Sequence, residues 1–153
     1  MKKILVSGCL FGWHCRYDDG DIPCLDERFL QWKAEGRLVP VCPEVFGGLP
    51  TPRPDSQRVS DKVLACTGFD VTAQYEAGAV EAVRLAQENE VAFALMKDDS
   101  PSCGSTYIYD GTFTDTKILG QGRAVELLRE AGFPVLNENM LDQAEILLKE
   151  LEK

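Results

Sequence analysis

Short apolar runs alternating with amphipathic stretches constrain this chain more than any other feature of its sequence. Residues 3–8 (K-I-L-V-S-G), 37–42 (R-L-V-P-V-C) and 91–97 (V-A-F-A-L-M-K) are rich in β-formers and bounded by turn residues. The third run is apolar enough to be covered on both faces, as strands of a parallel sheet are. Between them the period changes to that of a helix. Residues 25–35 predict a helix capped by Asp26, with Phe29, Leu30 and Trp32 in apolar contact and Gly36 just past its end. Residues 72–89 predict the longest helix, capped by Asp70 or Thr72, with Ala79, Val80, Val83, Leu85 and Ala86 on its apolar face. Helices over 121–131 and 140–152 and a short strand over 133–136 complete the alternation. Strands and helices in turn predict an α/β fold: a Rossmann-like, doubly wound, mostly parallel sheet flanked by helices. Pro40 makes the second strand short or places it at an edge.

The remaining segments read as connections. Residues 9–24 form a long loop. Five of the eight prolines fall between positions 40 and 54, so residues 43–60 read as a functional loop. Residues 62–67 predict a minor strand, and T-Y-I-Y-D-G-T-F-T predicts a hairpin turning at Asp110-Gly111. A chain of 153 residues fits one domain, here 1–153.

Bulk chemistry narrows the partners. The net charge of −9 repels phosphate backbones, so a small molecule is the expected partner and nucleic acid is not. No apolar run approaches the ~20 residues of a membrane span. Two lysines precede only a strand-length apolar stretch, so the expected location is the cytoplasm. Six cysteines there should be reduced thiols or metal ligands. They lie at 9, 15, 24, 42, 66 and 103, with no C-x-x-C pair and only one histidine, His14.

In a parallel sheet, ligands bind beyond the carboxyl ends of the strands. Cys9 follows the first strand, Cys42 ends the second, and Cys103 follows the third by a short loop. Any single cysteine is most simply a packed apolar residue. Three at equivalent topological positions suggest a soft-metal site of the iron–sulfur, zinc or copper(I) type. Glu44 stands two residues past Cys42, where a carboxylate is either a solvated charge or a base for water. Ser100 and Ser102 flank Pro101 beside Cys103. Cys15 has three readings at this level: fourth ligand, sulfur acceptor or packed thiol. Cys24 and Cys66 lack polar neighbours and read as packed thiols. His14 reads as a surface or hydrogen-bonded histidine. Arg53 would pair with an anionic ligand or with one of the acidic residues.

Several segments carry a family likeness in combination: Ser7-Gly8-Cys9-Leu10-Phe11-Gly12, Cys15-Arg16-Tyr17-Asp18, Cys42-Pro43-Glu44, Gly47-Gly48-Leu49-Pro50-Thr51-Pro52-Arg53, Ser100-Pro101-Ser102-Cys103-Gly104 and Tyr109-Asp110-Gly111. In this order, over nearly the whole chain, they resemble a family once catalogued as a domain of unknown function that includes the thiouracil desulfidases. The resemblance implies a 4Fe-4S cluster held by Cys9, Cys42 and Cys103 with one iron open. It implies a catalytic glutamate at Glu44 and a serine at Ser100, with Ser102 the close competitor. It implies removal of sulfur from 2- or 4-thiouracil or a related thio-base, giving uracil and sulfide. Some relatives carry an extra domain and act on thiolated tRNA, so this chain is expected to take the free base or nucleoside. Two departures stand out: an additional aspartate in Cys15–Gly20, and Gln57, near which the family commonly has an acidic residue. Two rival classes remain at this level. One is a non-catalytic iron–sulfur or zinc sensor closed by Cys15, the other a metal-free enzyme with Cys103 or Cys9 as nucleophile.

Overall fold

The computed structural model describes every residue from Met1 to Lys153. Its elements are β1 (Ile4–Ser7), α1 (Gly8–Phe11), α2 (Glu27–Ala34), β2 (Leu38–Val41), α3 (Pro43–Phe46), β3 (Ser56–Val59), β4 (Lys62–Ala65), α4 (Thr72–Glu88), β5 (Phe93–Met96), β6 (Tyr107–Tyr109), β7 (Lys117–Leu119), α5 (Arg123–Glu130), β8 (Val135–Asn137) and α6 (Leu141–Leu151). Four strands form one sheet in the order β2-β1-β5-β8. Every pair is parallel, with Ile4 opposite both Leu38 and Phe93, and Ala94 opposite Val135. The expected doubly wound α/β architecture is therefore present. β2 is an edge strand, which tolerates the donor missing at Pro40.

Alternation along the two central strands divides the core. Ile4, Val6, Phe93 and Leu95 face α2 and α6, packing with Phe29, Trp32, Ala144 and Leu148. Leu5, Ala94 and Met96 face α4 and α5, packing with Ala79, Ala82, Ala86, Val125 and Leu128. Asp26 caps α2 by accepting from Arg28 N at 2.9 Å, as its sequence position implied. At the start of α4, Asp70 accepts from Thr72 N, while the Thr72 hydroxyl turns away to accept from Val63 N. Val80 is exposed rather than inward, because the buried stripe of α4 runs through Tyr75, Ala79, Ala82 and Ala86.

Three connections differ from the sequence reading. The first turn of the 9–24 segment is helical and belongs to α1. The 43–60 segment is not structureless: it opens with α3 and closes with β3, which pairs antiparallel with β4. The hairpin of β6 and β7 does not turn at Asp110-Gly111. Tyr109 stands opposite Lys117, so residues 110–116 form the loop. The cause is tertiary. Gln57 Oε1 accepts from Gly111 N at 3.0 Å and Phe113 N at 3.2 Å, drawing the loop onto β3. Buried Gln57 thus supports the loop. No helix is long and apolar enough to cross a membrane.

Candidate active site

The strand order places β2 on one side of β1 and β5 on the other, so the loops leaving β1 and β5 diverge from a switch point, where open α/β sheets bind ligands. A cavity of about 320 Å³ lies there, at the small end of the range for small-molecule sites. Cys9 reaches it from α1, directly after β1. Cys42 reaches it from the position preceding α3, directly after β2. Cys103 reaches it from the loop after β5, and all three thiols are buried. The three cysteines singled out from the sequence therefore converge. Cys15 lines the same cavity, whereas Cys24 packs against the core beside α2 and Cys66 is exposed. His14 lies at the surface near Asp21.

The donors are uneven in acidity. Burial pushes the Cys9 thiol up to about 11, with Arg16 opposing. Burial also raises Cys103, against hydrogen bonds from Ser7 and Ser102. Hydrogen bonding with the Cys15 thiol holds Cys42 below its ordinary value and raises Cys15. No three His, Cys, Asp or Glu side chains lie close enough together to hold a single metal ion. Three buried soft donors around one cavity fit a cluster several atoms across better than one zinc ion.

Glu44, on the first turn of α3, is the centre of a polar network. Its Oε1 accepts from Arg53 Nη2 at 3.1 Å and Nε at 3.3 Å, and from Tyr75 Oη at 2.6 Å. Its Oε2 accepts from Ser102 Oγ at 3.0 Å. Of the two readings of Arg53, the pair with an acidic side chain is the one present. Its guanidinium is 4% exposed and also donates to Cys15 O, Pro50 O and Thr51 Oγ1. Ser102 is the serine on the carboxylate, and its hydroxyl is 3.5 Å from Cys103 Sγ. Ser100 Oγ accepts from Ser102 N and Cys103 N, both at 3.1 Å, and lies 3.0 Å from Ser102 Oγ. Ser100 therefore shapes the loop and stands one hydrogen bond further from Glu44.

Asp98, beside this loop, is held as an anion by the backbone around it. Its Oδ1 accepts from Ser105 N, Thr106 N and Tyr107 N, each at 3.1 Å. Burial opposes ionisation, but these backbone donors together hold the carboxyl below its ordinary value. A depressed carboxyl contributes stability above its unfolded pKa, about pH 4, and loses it as pH falls through the folded value. Asp98→Asn is expected to cost about 2 kcal/mol near pH 6, the scale of hydrogen bonds to a charged group. That cost should shrink toward pH 3, as read by urea unfolding. A penalty that grows on acidification would show that Asp98 is not held as an anion.

Two contributors carry no signal of their role in the sequence. Ser7 Oγ, at the end of β1, accepts from Lys97 N at 2.8 Å and ties the two strand ends together. Tyr75 arrives from α4. Its spacing with Ala79, Ala82 and Ala86 marks it as buried, and a buried phenol seeks a hydrogen-bond partner. Nothing local names Glu44 as that partner.

A parallel sheet whose switch-point loops gather three buried thiols beside a clamped carboxylate has the layout of an α/β enzyme with a thiol-lined site. The 2-thiouracil desulfurase family model matches residues 4–140, and the chain belongs to that family. A relative from Bacillus subtilis (strain 168), described as uncharacterized protein YbbK, is 37% identical over 149 residues, covering 91% of this chain and 97% of the relative. A solved structure described as a [4Fe-4S]-dependent thiouracil desulfidase, TudS, is 41% identical with a TM-score of 0.95, covering 97% of this chain and 99% of that one.

Proposed function

We propose that this chain is a 4Fe-4S-dependent desulfidase that converts thiolated uracil to uracil and sulfide, with Cys9, Cys42 and Cys103 as the cluster ligands and Glu44 as the base. One observation carries the reading: three buried thiols from three parallel strand ends share a cavity with a carboxylate whose second oxygen meets Ser102. When bound, the cluster supplies an iron without a protein ligand, a Lewis acid for the substrate's sulfur.

The protein's own residues account for the rest. The cavity takes the pyrimidine ring with its thiocarbonyl toward the thiols. Glu44 Oε2 takes a proton from water as the water oxygen bonds to the thiocarbonyl carbon. Ser102 hydrogen-bonds between Glu44 and the reacting group and relays that proton to the sulfur. The remaining hydroxyl proton passes to Glu44 Oε2 as the carbonyl forms and the C–S bond breaks, and then goes to the departing hydrosulfide. Ser100 holds the loop that carries Ser102. The balance is thiocarbonyl plus water to carbonyl plus hydrogen sulfide, with no net electron transfer. An oxygen-sensitive cluster and six unpaired thiols suit the reducing cytoplasm, and residues 1–153 act as one domain. The free base or nucleoside is the substrate that a cavity of this size favours.

The test is anaerobic reconstitution with iron and sulfide, followed by assay on 2- and 4-thiouracil. Loaded protein should release uracil, and protein stripped by a chelator should not. Equal activity in both preparations would favour a metal-free thiol enzyme.

A further inference from the structure

The grip on Glu44 is asymmetric. Two side chains hold Oε1, and only Ser102 meets Oε2. One of the two, Tyr75, comes from outside the strand-end loops and is 2% exposed. Its arrival depends on an unusually close approach of α4 to α3. A Cβ at Gly78 would lie 1.7 Å from Pro43 O, and one at Gly47 would lie 2.0 Å from Gln74 O. Pro43 and Gly47 bracket Glu44, while Gln74 and Gly78 bracket Tyr75. Two glycines thus permit the helices to touch around the two hydrogen-bonded residues. Any side chain at either position would push Tyr75 Oη away from the carboxylate.

A glutamate's terminal torsion is broad and roughly two-fold, so an unheld carboxylate turns freely. Arg53 alone reaches Oε1 from one side, at 3.1 and 3.3 Å. The shorter 2.6 Å contact from Tyr75 supplies the second direction that fixes the carboxylate plane. Burial and the adjacent Glu44 raise the phenol well above its ordinary value, so it remains an O–H donor.

We infer that Tyr75 is a positioning residue for the desulfidation: by holding Glu44 Oε1 it assigns Oε2 to Ser102 and the attacking water. The inference rests on the desulfidase reading of the site. Tyr75 does not meet the substrate's reacting atoms and acts only through Glu44.

Tyr75→Phe keeps the buried ring and removes the hydroxyl. It should retain full iron content and lower kcat about ten- to a hundred-fold, the size of one hydrogen bond to a charged group, with KM unchanged. Combined with Glu44→Gln it should add no further loss, since residues that act as a unit are non-additive. An unchanged kcat, or a full additional loss in the double variant, would overturn the proposal. Crystal structures of the parent and Tyr75→Phe proteins give a readout without turnover. The variant's carboxylate should leave Ser102 Oγ or spread over several orientations, and a single unmoved carboxylate would overturn the proposal. A parent protein inactive on both thiouracils would sink the desulfidase reading instead, and the crystal comparison would still decide whether Tyr75 sets Glu44.

Discussion

Glu44→Gln is expected to leave the iron content of the reconstituted protein unchanged and to lower thiouracil turnover by about a hundred- to ten-thousand-fold, the usual contribution of a general base. The carboxamide has nearly the same size, and Glu44 is not a proposed ligand. Its nitrogen cannot accept a proton from water. The substitution also leaves the Arg53 guanidinium buried without its counter-charge. Removing one partner of a buried ion pair typically costs roughly 3–5 kcal/mol. The loss here should be smaller, because Cys15 O, Pro50 O and Thr51 Oγ1 still accept from Arg53. The variant should therefore melt at a lower temperature yet fold and load. Iron content, melting and turnover measured on one preparation separate the effects. Normal turnover would remove Glu44 as the base, and lost iron would make it structural. Asp98 is a poor substitute base, since backbone donors hold its carboxyl below its ordinary value and so weaken it as a proton acceptor.

Replacing Cys9, Cys42 or Cys103 by Ser should abolish both cluster iron and activity, whereas Cys24→Ser and Cys66→Ser should retain both. A hydroxyl is a much harder donor than a thiolate and does not ionise at neutral pH. Cys15→Ser is the discriminating case. Its thiol neighbours Cys42 and lines the cavity, but it hangs from the loop between α1 and α2 rather than from a strand end. With three ligands and an open iron, Cys15→Ser should keep its iron. Iron loss equal to that of the other three would indicate a four-thiolate, closed site and favour a sensor over an enzyme.

Much of the frame is legible in the chain itself. The period of the apolar residues defines β1, β5, α2, α4 and α6, because burial on one face or two writes itself into local pattern. The convergence of Cys9, Cys42 and Cys103 follows from topology alone, since parallel strands deliver their carboxyl ends to one edge. The connections are less legible. α3 and β3 lie within a proline-rich stretch whose local signals are all turn signals, and Pro43 is simply the first residue of a helix, where proline is tolerated. The loop at 110–116 is set by Gln57, more than fifty positions away in the chain, so the local Asp-Gly signal loses to a tertiary contact. For the same reason the sequence does not rank Ser102 above Ser100, match Arg53 to Glu44 or single out Tyr75. Each depends on a contact that only the closed fold creates.

The most direct measurement runs the reconstituted, anaerobic protein on 2- or 4-thiouracil in water carrying heavy oxygen and follows uracil, sulfide and isotope together. The account predicts uracil and sulfide in equal amounts, with heavy oxygen in the uracil at the position that held sulfur. Loaded protein that releases no sulfide, or uracil that acquires no oxygen from the solvent, would contradict it.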